Sequence, residues 1–155
     1  MKLLNMKGTS LCLLYSAAMV LDDDVDEMIQ RIGWTGLERM WDKPEPMCYR
    51  SHHIQEIQEY AIVWHHKCFY PIEHEPMIAS DDGVQPKLAI HHGDEPTARL
   101  MGLILGKPGI MIGEGRNGLR HAWAWDGAKC YDPNGYILDI EDYKSVEECW
   151  LLGLI

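Results

Sequence analysis

The apolar residues of this chain fall into periodic blocks punctuated by Gly, Pro and Asp. Leu11 to Leu21 is apolar on nearly all sides, the pattern of a helix buried in the middle of a domain. Asp22 to Asp24 then offer N-caps and negative charge for a first turn; Met28, Ile29 and Ile32 give helical spacing, and Gly33 suits the position just past a helix end. A short second helix is predicted there. A calcium loop over the same aspartates lacks the required Gly and the distal bidentate Glu. Trp34 to Met47, with Pro44 and Pro46, reads as an irregular connection. Helical periodicity resumes from His52 to His66 through Ile54, Ile57, Gln58, Ala61 and Ile62. Cys68 to Ile72 predicts a strand, after which Pro71, Pro76, Asp81-Asp82-Gly83 and Pro86 punctuate a long surface loop. Pro96 can open a further helix with Leu100, Met101, Leu103 and Ile104 facing inward and Gly106 ending it. Gly109 to Ile112 predicts a buried strand.

The stretch HAWAWDGAKCYDPNG, residues 121 to 135, carries the most information. Two runs rich in aromatic residues and Ala flank Asp126-Gly127, which predicts a hairpin with a two-residue type I′ turn. Counting outward pairs Trp125 with Ala128 and, four steps on, His121 with Asp132. Cross-strand neighbours stand roughly 5 Å apart on one side of a sheet, within reach of a hydrogen bond. A carboxylate on one ring nitrogen fixes the His tautomer and stabilises the imidazolium, while the other nitrogen can exchange a proton. This is the base and its orienting partner. Asn134 is an alternative partner, but its offset and the following Gly point to a turn.

The 155 residues suit a single domain over 1–155, and 46% hydrophobic with 25% charged residues is globular usage. The net charge of -10 opposes binding to nucleic-acid backbones, which needs clustered Lys and Arg. Basic residues are scattered singly, so no polybasic stripe is available for a membrane surface. Met1 to Lys7 followed by Leu11 to Leu21 mimics the start of a secretory signal, yet polar interruptions and the absence of a small-x-small cleavage site argue against one. Five cysteines form no CxxC pair and their odd count leaves a thiol over, so reduced thiols and a cytoplasmic setting are expected.

Cys12 opens the apolar helix. A helix N-terminus and a nearby imidazolium both favour a thiolate, making Cys12 the candidate nucleophile, although a Cys in an apolar helix is more often core. Cys48, His52-His53, His65-His66 and Cys68 could supply a zinc site by type and spacing. Against that, a continuous helix would hold His52 and His65 roughly 20 Å apart along its axis. His74 and His91-His92 read as loop residues, and the tryptophans as core or cleft lining.

An early Cys opening a buried helix (SLCLLYSAAMV), a distant HAWAWDG strand and YDPNG closing the next strand resemble the papain-like cysteine peptidases of the double-glycine leader peptidase type, particularly small stand-alone bacterial and phage versions. The resemblance covers most of the chain. It implies Cys12 as nucleophile, His121 as base and Asp132 as the group orienting His121. In that family a Gln six positions before the Cys helps to bind the oxyanion; Met6 stands there, and Leu13 stands where a small residue is frequent. A thioether donates no hydrogen bond, which leaves the Cys12 backbone N–H, the helix end and Asn5 or Ser10 as the alternatives.

The expectation is an α+β papain-like fold in which a buried N-terminal helix packs on an antiparallel sheet carrying His121 and Asp132. The expected function is cleavage of a peptide or isopeptide bond of a peptide or protein substrate through a thioester, with no cofactor and no metal. The competing expectation is a weakened or inactive papain-like binding protein, such as a phage factor acting on a host protein. Transfer of the acyl group to an amine instead of water stays open.

Overall fold

The computed structural model describes residues 1–74, 77–80, 83–85 and 96–155. Pro76, Asp81, Asp82, Pro86 and His91-His92 therefore lie outside the described residues. The architecture is α+β. Among the described residues, four α-helices accompany a six-stranded antiparallel sheet and a small three-stranded one.

The first helix, α1 (Cys12–Leu21), begins one residue inside the apolar run. Leu14, Ala17, Ala18, Met19 and Leu21 are all buried. Asp22 ends it in the left-handed conformation, and Asp24 caps α2 (Val25–Ile32) by accepting from the Glu27 N–H at 3.0 Å. Gly33, at φ 94°, closes α2 as its position predicts. The expected His52–His66 helix is shorter. Only α3 (Ile54–Tyr60) is α-helical, and Ala61–His65 widens into a π turn. The extra residue rotates Ile62, Val63 and Trp64 outward; all three are exposed. Gln58 then ties α3 to the next strand, exchanging hydrogen bonds with both the N–H and the carbonyl of Phe69.

The large sheet comprises β1 (Lys67–Pro71), β4 (Gly109–Glu114), β5 (Arg120–Trp125), β6 (Cys130–Asp132), β7 (Tyr136–Leu138) and β9 (Glu148–Leu154). Its order is β1-β9-β4-β5-β6-β7. Where a long loop is expected, β2 (Met77–Ser80) and β3 (Gly83–Gln85) form a hairpin that joins β8 (Ser145–Val146) in the small sheet. In α4 (Pro96–Ile104), Thr97, Leu100 and Ile104 are buried on one face, whereas Leu103, expected inside, falls beyond its edge and is 41% exposed.

Strand β5 divides the core. Ala122 and Ala124 face the cluster built on α1, and their small side chains let the helix approach closely. Trp123 and Trp125 fill the opposite cluster with Leu100 and Ile104. The alternation A-W-A-W is thus a small face toward α1 and a large face toward α4. Among the described residues no helix is long and apolar enough to cross a membrane.

The β5–β6 register corrects the two-residue turn. Ala124 pairs with Tyr131 and Trp125 with Cys130, so the connection is the four residues 126–129. Asp126 builds it: its Oδ1 accepts from the N–H groups of Ala128 and Lys129 at 2.8 and 2.7 Å, and its own N–H donates to the Lys129 carbonyl. Only Gly127 takes positive φ, whereas a type I′ turn needs it at both central residues. The ladder is offset by two residues from the expected one. A two-residue offset preserves the side on which each side chain stands, so His121 and Asp132 become diagonal neighbours on the same side.

Candidate active site

Cys12 is the first residue of α1, and its half-buried side chain lines a cleft of about 790 Å³. His121 and Asp132 line the same cleft from β5 and the end of β6. The structure therefore brings together all three residues selected from sequence. The imidazole Nε2 lies 3.1 and 3.0 Å from Asp132 Oδ1 and Oδ2. Cys12 lies near enough to His121 that its thiol, like Asp132, favours the imidazolium. With Nε2 committed to the carboxylate, Nδ1 is the nitrogen left to face sulfur.

Asp132 is almost wholly buried and holds three donors on two oxygens. Besides His121, the Asn134 N–H donates to Oδ1 at 2.9 Å and the Tyr143 hydroxyl donates to Oδ2 at 2.8 Å. Burial opposes its ionisation, but the hydrogen bonds from His121, Asn134 and Tyr143 and the His121 charge hold the carboxyl below its ordinary range. At His121, burial disfavours the cation, while Asp132 and Cys12 favour it more strongly and push the imidazole up to about 9. Asn134 thus serves Asp132 through its backbone rather than replacing it.

Tyr143 was not selected from sequence. Its ring stacks on Trp123, with centroids 3.7 Å apart and planes within 5°, and burial followed by the Asp132 charge raises its pKa. The large face of β5 thereby supports the carboxylate that orients the His on the same strand. No spacing rule connects Tyr143 to the hairpin. Only the one-turn 3-10 helix Ile140–Asp142 returns it to Asp132.

The N-terminal segment runs along the site. The Met6 N–H donates to the Pro133 carbonyl at 2.7 Å, and Asn5 makes an isolated antiparallel bridge with Asn134. Residue 6 is thereby set beside the Asp132 turn, and the Met6 side chain, 7% exposed, lines the cleft. Gly36 packs behind the lining residues Leu11 and His52: at φ 86°, an added Cβ would stand 2.6 Å from Leu11 Cδ2 and 2.7 Å from His52 Cε1. Much of the lining is apolar, including Leu11, Leu13, Ile112 and Leu138. The rim arginines are engaged by acids: Arg116 with Asp142, Arg120 with Glu147 and Glu148.

Two of the histidines with zinc-compatible spacing, His52 and His65, are engaged by other partners. The His52 Nε2–H donates to the Trp34 carbonyl at 3.1 Å, and burial lowers its pKa. His65 Nε2 stands 2.6 Å from Asp23 Oδ2, which also accepts from Tyr60 at 2.6 Å. Asp23 is thus a buried clasp between the end of α1 and the π turn rather than only part of a capping run. Among the described residues no group of three or more His, Cys, Asp and Glu is placed to hold a metal ion. Compared with protein-family models, curated proteins and solved structures, the chain finds no match in any of the three.

Proposed function

We propose that the chain is a cysteine peptidase-like enzyme with a papain-like fold, cleaving a peptide or isopeptide bond through Cys12, His121 and Asp132. The observation that carries this reading is the convergence of the Cys12 thiol and the hydrogen-bonded His121–Asp132 pair on one cleft. Cys12 sulfur, as thiolate, bonds to the carbonyl carbon, and the carbonyl electron pair moves onto oxygen. Collapse of this oxyanion breaks the carbon–nitrogen bond, with the His121 imidazolium giving its proton to the leaving amine. Water then attacks the thioester while His121 takes its proton, and release of the acid returns the thiol. Asp132 holds the ring in place throughout. The apolar walls and internally paired rim arginines favour an uncharged, extended segment of substrate.

A second reading, a papain-like binding protein, is favoured by one observation: Met6 presents a thioether where the resembling family has an amide donor. Turnover separates the two. With 4-nitrophenyl acetate in excess, the enzyme is expected to release many equivalents of nitrophenolate per chain and to lose this on Cys12→Ala. A binding protein gives at most one equivalent, or a slow background that survives Cys12→Ala.

A further inference from the structure

We propose that the Ser10 hydroxyl and the Cys12 backbone N–H together bind the oxyanion in this chain, replacing the donor that Met6 does not supply. The proposal rests on the acyl-transfer reading above. The other aliphatic hydroxyls at the start of the chain, Thr9 and Ser16, are spent. The Thr9 hydroxyl donates to the Met6 carbonyl at 2.8 Å, and the Ser16 hydroxyl to the Cys12 carbonyl at 2.6 Å. Asn5 is turned away: its Oδ1 accepts from the Lys7 N–H at 2.8 Å, and its amide nitrogen sits over Gly135, 2.7 Å from where a Cβ would stand. Ser10 differs from all of these. It lines the cleft two residues before the nucleophile, and its Oγ is buried with no hydrogen-bond partner among the described residues. A buried hydroxyl left unpaired costs about 1–3 kcal/mol, so an unpaired one beside a candidate nucleophile calls for an acceptor that arrives with the ligand.

The start of α1 complements it. Asp24 caps α2 with its side chain, whereas Leu11, the cap residue of α1, offers none. The first backbone bond of α1 is from the Tyr15 N–H to the Leu11 carbonyl at 3.0 Å, so the Cys12 N–H precedes the helical ladder. In the reaction, sulfur bonds to carbon and the carbonyl pair localises on oxygen, where the Ser10 O–H and Cys12 N–H donate. The donors relax when the carbon–oxygen double bond re-forms and the leaving group departs. Ser10 keeps its proton throughout.

The test compares two reactions of Cys12 in the intact chain. Acetylation by 4-nitrophenyl acetate passes through an oxyanion; alkylation by iodoacetamide does not. Ser10→Ala is expected to slow acetylation by roughly a hundred- to a thousandfold while alkylation of Cys12 keeps its rate. Ser10→Cys, near-isosteric and a much weaker donor, is expected to repeat the loss. Adding Met6→Gln to Ser10→Ala is expected to restore at least tenfold of it, on the order of one lost hydrogen bond regained. Equal losses in both reactions, or acetylation that survives both Ser10 variants, overturn the proposal alone. Absence of His121-dependent acetylation in the unaltered protein overturns the acyl-transfer reading and this proposal with it.

Discussion

Replacing His121 by alanine is expected to slow acylation of Cys12 by about a hundred- to ten-thousandfold, the range over which a positioned acid–base group acts. The imidazole hydrogen-bonds Asp132 and has the Cys12 thiol as its neighbour across the cleft, so its loss separates nucleophile from orienter. The fold should survive, because Asp132 keeps the Tyr143 hydroxyl and the Asn134 N–H. Stopped-flow acylation and circular dichroism on the same samples check both halves. The pH dependence follows from the same geometry. With its pKa pushed up to about 9, His121 remains an imidazolium through neutral pH. Amide cleavage is therefore expected to decline as pH rises through that value, when the leaving amine loses its proton donor. The stability contributed by the raised imidazole is fully present below its unfolded value near 6.5 and disappears as pH rises through about 9.

Asp132→Asn carries the second large effect. Three donors converge on the carboxylate, and an amide replaces one acceptor oxygen with a donor, so at least one of them meets an N–H. Loss of charge-assisted bonds at a buried site is expected to cost about 2–3 kcal/mol in chemical unfolding. The His121 pKa should fall from about 9 toward the ordinary imidazole range, and acylation should drop by about 10³–10⁴-fold as the ring loses its tautomer. In the unaltered protein the lowered Asp132 carboxyl adds stability above the unfolded carboxylate range and loses it on acidification through its folded value. The variant should lack that acid dependence. An NMR titration of His121 identical in variant and parent would contradict the assignment of Asp132 as its orienter.

Legibility in the sequence followed the range of the forces involved. Helices α1 and α2 could be read because their signals are local: a continuous apolar run, an Asp cap and a terminal Gly. The A-W-A-W alternation likewise declared β5, and the His121–Asp132 pairing survived a mistaken register because the offset was even. The register itself was lost to a local competitor, the Asp126 side chain, which satisfies a four-residue connection. The π turn depends on tertiary ties, with Asp23 bonding Tyr60 and His65 from the end of α1. Strand β9 received no expectation, although Glu148–Leu154 lies between β1 and β4, because a nearly unbroken apolar run is ambiguous in periodicity. Tyr143 and the unpaired Ser10 hydroxyl share a different obstacle. Each is defined by which partners it has in space, and neither tyrosine nor serine announces that in one dimension.

The most direct measurement is the ratio of acylation rates at Cys12 and Cys68 within one sample. Both thiols are half-buried, while Cys48, Cys130 and Cys149 are buried, so Cys68 serves as an internal control for access. Brief exposure to 4-nitrophenyl acetate, acid quenching and peptide mapping by mass spectrometry give the two rates together. The account predicts acetyl transfer at Cys12 faster than at Cys68 by about a hundredfold or more, a preference that collapses in His121→Ala. Equal acetylation of the two cysteines, or a preference for Cys12 that His121→Ala leaves intact, would contradict it.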